Sequence, residues 1–282
     1  MPLKLTHLAA CVGLALQLGV ASHSYAADAK ATASATPDNT KVLEFNPANK
    51  KGPQGENWAS IAKLPDWTGA WGLDQASFGK GMAAATGQDR SNVNMAPLND
   101  KWEAMRMSNG AANGGRGPAD GVVNNSNTCI PNGMPGLMGA PFAFQFIYTP
   151  GEIIILPENN SVRRIFTDGR KHPADGEATF NGHSIGYWEN NVLVVETVNM
   201  KNKSEYFMGL KTSGTQKIVE RLYRESPKKF RIDFTVTDSV AFTKPWNFTR
   251  TYDLSEHGMV EYYCTENNRD SNGFINLTPP PV

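Results

Sequence analysis

Residues 163–175, "RRIFTDGRKHPAD", crowd Arg163, Arg164, Asp168, Arg170, His172 and Asp175 into one strand end and the turn after it, and His183 follows shortly. Arginine forks recognise carboxylates and phenolates through paired N–H groups. A histidine oriented by a carboxylate exchanges protons near neutral pH. These residue types point to acid–base chemistry on a small organic molecule, with Arg164 holding an oxyanion and Asp168, His172 and His183 as acid and base candidates. The same residues also suit a structural turn, in which Asp168 bonds backbone amides, Arg170 pairs with an acid and His172 caps the loop before Pro173.

His183 belongs to Gly182-His183-Ser184-Ile185-Gly186, which spells the G-x-S-x-G signature of a serine-hydrolase elbow. That device needs a helix directly after the serine. Here "IGYWE" follows, then Asn190-Asn191, then the branched run "VLVVETV". The pattern is that of a hairpin, so Ser184 reads as a strand residue and not a nucleophile.

His172, Asp175, His183 and Glu189 were the one His/carboxylate set to weigh for a divalent ion, and their spacing matches no tight ligand motif. Met134 and Met138 read as adaptable packing rather than soft ligands. No metal is expected. Neither a phosphate-cradling glycine loop nor a dinucleotide fingerprint is present, so no organic cofactor is expected.

An aromatic ligand has candidate partners in Tyr187, Trp188, Arg170, Lys244 and Trp246, with Arg250 near by in "TKPWNFTRTYDL" and Phe144, Phe146 and Tyr148 upstream. Strand alternation places His183, Ile185 and Tyr187 on one face and Ser184, Gly186 and Trp188 on the other. Alternation alone leaves open which face points inward.

The elements that must hold these groups are mostly strands. "LPDWTGAWGLD" (64–74) reads as a first strand. "APLNDKWEAMRM" (96–107) keeps Leu98, Trp102 and Met105 at helical spacing, and a long Gly/Asn-rich loop (108–127) follows. From residue 142 onward, "FAFQFIYT", "EIIILPE", "SVRRIFTD", "HSIGYWE", "VLVVETV", "TQKIVERLYRE", "KFRIDFTVTD", "WNFTRTYDL" and "MVEYYCTE" are divided by Asn, Pro and Gly turns. Such spacing predicts an antiparallel up-and-down meander. The expected fold is all-β, one barrel or strongly curved sheet of about 8–10 strands with one short helix. A barrel of that size holds a small ligand.

At the N-terminus Lys4 and His7 precede "LAACVGLALQLGVA", and Ser24 and Ala26 offer small residues, so residues 1–26 read as an export signal. "LAAC" at Leu8–Cys11 precedes most of the apolar core, which argues against lipidation. Residues 27–57, poor in aromatics, read as a disordered tether, leaving 58–282 as a single β domain. The 27 basic and 27 acidic residues give a formal charge of +0, which offers no footprint for nucleic acid or an anionic membrane surface. No other run is long enough to span a bilayer. Past the signal only Cys129 and Cys264 remain, and in an oxidising compartment a disulfide between them is the simplest reading.

Several blocks, taken in order, resemble a known group. They are Asp66-Trp-Thr-Gly-Ala-Trp71, Cys129-Ile-Pro-Asn-Gly-Met-Pro135, Arg164-Ile-Phe-Thr-Asp-Gly-Arg-Lys-His-Pro173, Gly182-His-Ser-Ile-Gly-Tyr-Trp-Glu189, Leu193-Val-Val-Glu-Thr197, Thr243-Lys-Pro-Trp246 and Glu261-Tyr-Tyr-Cys-Thr-Glu-Asn267. The combination is similar to a large family of secreted bacterial proteins and covers residues 64–268. The resemblance implies an exported, lipocalin-like β fold with both cysteines in its framework, and it carries no activity. The function expected from the residues is a periplasmic or secreted enzyme using cofactor-free acid–base chemistry, of lyase, dehydratase or isomerase type, on a small aromatic or polycyclic molecule. The alternative is a non-catalytic barrel that carries a small hydrophobic ligand.

Overall fold

The computed structural model describes residues 40–74, 96–108, 125, 129–207 and 209–264, all within one compact unit. The export signal expected at 1–26 and most of the Gly/Asn-rich loop lie outside the described residues. Among the described residues no helix is long and apolar enough to cross a membrane.

Among the described residues, alternating apolar runs separated by turn residues form eleven strands, nine of which close into a barrel. These nine are β1 (Trp71–Leu73), β2 (Phe144–Thr149), β3 (Glu152–Pro157), β4 (Arg163–Phe166), β5 (His183–Glu189), β6 (Val192–Val198), β9 (Lys217–Ser226), β10 (Lys229–Thr237) and β11 (Trp246–Leu254). A small hairpin, β7 (Glu205–Phe207) with β8 (Leu210–Lys211), stands between β6 and β9. The turns fall where left-handed backbone is cheapest, with Gly151 at φ 75° and Asn190 at φ 56°.

Two features depart from the expected antiparallel meander. Residues 259–264 of "MVEYYCTE" form no strand, because β1 already occupies the free edge of β11 (Trp71↔Leu254, Leu73↔Tyr252). The chain passes on instead to Cys264, which is bonded to Cys129 with Cα atoms 5.5 Å apart. Second, β4 and β5 run parallel, with Ile165 opposite Ser184, while the other eight neighbour pairs are antiparallel. A ring of strictly alternating directions must contain an even number of strands. Nine strands therefore require a parallel pair, and a parallel pair requires a crossover. Residues 167–182 are that crossover.

Alternation assigns the faces. Phe146, Ile155, Ile165, Trp188, Val195, Leu222, Ile232 and Phe248 join one core cluster and point inward. One end of the barrel is plugged by Trp67, whose ring lies 4.8 Å from Phe146, 4.9 Å from Trp188 and 4.8 Å from Phe230. At the other end lie α2 (Asp100–Ser108), the 3-10 turn Gly136–Gly139 and the β7–β8 hairpin, with the Trp102 indole donating to the Lys211 carbonyl at 3.2 Å. The helix starts later than the 96–107 pattern suggests, because Leu98 is spent on a β-bridge to Phe242.

Residues 40–57 differ from the tether read from composition. They are strapped to the outside of the barrel: Leu43 N–H donates to Thr235 Oγ1 at 2.9 Å, Phe45 packs on Tyr187, and Lys51 bridges Glu189. Their Asn, Pro and Gly residues make turns rather than solvated coil. Asn46 caps the 3-10 turn Pro47–Asn49, and Asn57 caps α1 (Trp58–Ile61).

Candidate functional site

The crossover carries the charged motif. It leaves β4 after Phe166 and returns at His183 beside that same strand end, the two rings lying 5.3 Å apart, so it loops out over the outer wall. Arg170 lies over the Phe166 ring, 3.8 Å from its centroid, and forks onto Asp168 through Nε (2.9 Å) and Nη2 (2.5 Å). Further along, His172 Nδ1 meets His183 Nδ1 at 2.8 Å. On its far side His172 Nε2 is 3.5 Å from Glu196 Oε1, and Lys217 Nζ is 3.4 Å from Glu196 Oε2.

The electrostatics follow from this geometry. Two Nδ1 atoms at hydrogen-bond distance share one proton, so both rings cannot be cationic in place. Burial pulls the His172 imidazole below its ordinary pKa, and Glu196 opposes that only in part. Burial, His172 and Arg170 push His183 down as well. Asp168 is held below the usual carboxylate range by the Arg170 guanidinium. The cluster is thus a neutral histidine pair between two ion pairs, able to pass a proton along the wall.

The expected site residues divide between the two faces. His172, His183, Asp168 and Arg170 come together, all on the outside. Arg164 is 59% exposed, also faces outward and is engaged with Glu152 at 2.9 Å. Tyr187 faces outward too, buried under the strap, with its hydroxyl accepting from the Asn46 N–H at 3.4 Å. Trp188 and Trp246 point inward. Lys244 is exposed on the turn before β11. Among the described residues no three His, Cys, Asp or Glu side chains converge as metal ligands; Glu189 is instead paired with Arg221 at 2.7 Å.

The inner wall holds polar groups that the motif search passed over. Arg163 donates to Glu220 Oε1 at 3.0 Å, to Glu220 Oε2, and to Thr197 Oγ1 at 3.0 Å. Its Nε and Nη2 also donate to Ser184 Oγ at 3.4 Å, and the Ser184 and Thr197 oxygens lie 2.8 Å apart. All four residues are at most 1% exposed. Ser184 therefore sits behind an arginine inside the barrel, followed by a strand rather than a helix, where it has neither a base nor access to an ester. Arg250 and Tyr252 continue the inner face of β11, with the Tyr252 hydroxyl donating to the Met138 carbonyl at 2.7 Å. Sequence carried a signal for these residues. In "IVERL" and "WNFTRTY" a charge stands at a position whose i±2 neighbours are apolar. No protein-family model matches the chain, and no curated protein matches it.

Proposed function

We propose that this barrel takes a small organic molecule into its interior and acts as a non-catalytic carrier outside the cytoplasm. One observation carries the reading: the charged side chains of Arg163, Glu220 and Arg250 stand on an inner wall built mainly of aliphatic and aromatic residues. A core selected for stability alone is filled with apolar groups, since burying ions costs more than their attraction returns. Polar groups fixed on an apolar wall are instead the composition of a ligand pocket. The Cys129–Cys264 bond supports an oxidising, exported setting, periplasmic or secreted, in keeping with the lipocalin-like family resemblance. The test is saturation binding of phenylnaphthylamine, a neutral aromatic dye that brightens in apolar sites, together with native mass spectrometry of gently purified protein. Saturable binding of one dye per chain, or a co-purifying organic molecule, supports the carrier. Absence of both overturns it.

A second reading, an acid–base enzyme of lyase or isomerase type, is favoured by the His172–His183–Glu196 contact. Its substrate would have to dock on the outer wall, since neither histidine faces the interior. Under that reading His172→Ala and His183→Ala differ, one of them lowering turnover about 10²-fold, the size of a lost general acid or base. If both variants change only thermal stability, the pair is a clasp holding the crossover to the wall.

A further inference from the structure

Among the described residues none supplies a counter-charge to Arg250. It follows Trp246 and Phe248 on the inner face of β11, and its guanidinium carbon lies 5.3 Å from the Phe248 ring centroid. Among the described residues it makes no ion pair, and its solvent-shielded Nε has no hydrogen-bond partner. By contrast Arg163, on the same inner wall, has a carboxylate and two hydroxyls. Arg250 lies deep in the fold, yet the residue keeps accessible surface. A side chain placed in this way is not sealed off from a partner.

The surroundings are shaped to leave that cation available. Gly139 ends the 3-10 turn against it, and a Cβ there would fall 2.6 Å from Arg250 Nη2, so a larger residue would push the guanidinium aside. Tyr252 turns its hydroxyl away to the Met138 carbonyl. Among the described residues Arg163 is matched by Glu220, while Arg250 has no ion-pair partner. A ligand bearing one negative charge restores neutrality.

We infer that Arg250 is the anchor of an internal binding site for small aromatic or apolar molecules carrying one oxyanion, a carboxylate or sulfonate, with the apolar part against Phe248 and Trp246. This rests on the carrier reading and narrows its ligand class. A guanidinium fork matches such a group with two parallel hydrogen bonds, and burial, which pulls Arg250 below the usual arginine range, strengthens the attraction.

The test compares two dyes of one skeleton, anilinonaphthalene sulfonate and its neutral counterpart phenylnaphthylamine, titrated into the full mature protein. The expected result is binding of the sulfonate at least about tenfold tighter than the neutral dye, the scale of one charge-assisted fork. Arg250→Gln and Arg250→Met should abolish that preference while leaving the neutral dye's affinity unchanged. Lys228→Gln, which removes an exposed charge from the turn between β9 and β10, should preserve it. Without ligand, Arg250→Met should melt at or above the wild-type temperature, because it removes an unpaired buried charge. Equal affinities in the wild-type protein, or a preference that survives Arg250→Gln, overturn the anion site while the carrier stands. An Arg250→Met protein that melts below wild type shows the arginine to be structural and also overturns it. If neither dye binds the wild-type protein, the carrier reading falls, and this inference with it.

Discussion

Glu220→Gln removes one negative charge from the middle of the barrel while keeping the shape of the side chain. In the native protein Glu220 is 0% exposed and both its oxygens accept from the Arg163 guanidinium. The variant leaves Arg163, 1% exposed, facing an amide. Arg250 is a second cation in the same interior, close enough for Tyr252 to sense all three charges. Ser184 and Thr197 still accept from Arg163, but hydroxyls neutralise nothing. Breaking one half of a buried pair costs about 3–5 kcal/mol. At about 2–4 °C per kcal/mol for a domain of this size, the melting temperature should fall by roughly 6–20 °C. A double variant, Arg163→Met with Glu220→Leu, separates the orphaned charge from the lost packing. Hydrophobic replacement of a whole buried pair is neutral or stabilising in other cores, and the Ser184–Thr197 hydrogen bond at 2.8 Å can persist without it. Urea unfolding followed by tryptophan fluorescence, with calorimetry for the melting temperature, measures both. A single variant within about 1 kcal/mol of wild type, the worth of an exposed ion pair, would refute the reasoning. So would a double variant no more stable than the single one.

Two further outcomes follow from the geometry. His172 and His183 are both depressed below the ordinary histidine pKa, so the unfolded chain binds their protons first as pH falls. Stability should be flat above the unfolded value of about 6.5 and decline below it, and His183→Phe should flatten the slope in chemical unfolding measured across that range. Replacing Cys129 and Cys264 by Ala opens a loop with a sequence separation of 135 residues. In the chain-entropy model that lowers stability by up to about 5 kcal/mol, read as a shift in the urea midpoint at unchanged disulfide-free reference conditions.

Much of the fold was legible because alternation and turn chemistry agree. The Asn, Pro and Gly pairs at 150–151, 159–160 and 190–191 each mark the end of a strand. The inward face of β5 was not legible. Both of its faces are covered, one by the barrel core and the other by the strap and crossover, so His183, Ile185 and Tyr187 look as core-like as Ser184, Gly186 and Trp188. The strap itself escaped notice because it holds on by capping and backbone hydrogen bonds, which leave little hydrophobic pattern. Motif reading drew the eye to Arg164, the exposed neighbour, and away from Arg163, the buried one. In a strand the two point to opposite faces, and only the position of the core separates them.

Strand parity joins these observations into one account of the charged turn. Ten strands read from the sequence would close with every neighbour antiparallel, and no crossover would be needed. The structure spends the tenth segment on carrying Cys264 to Cys129, and the ring closes at nine. One parallel pair is then unavoidable, and its crossover must climb the outer wall between β4 and β5. The crossover is held by backbone bonds near its two ends, Thr167 N–H to the Gly151 carbonyl at 2.8 Å and Thr179 N–H to the Asn199 carbonyl at 3.0 Å, and by side chains between them. Residues 168–172 supply these side chains: an arginine stacked on Phe166 and forked to Asp168, and a histidine bonded to His183 and facing Glu196. The concentration of ionisable groups that suggests catalysis in the sequence thus also serves to fasten the crossover that an odd-numbered barrel requires. The charges left unexplained by closure are those on the inner wall, and of these Arg250 alone has no partner among the described residues.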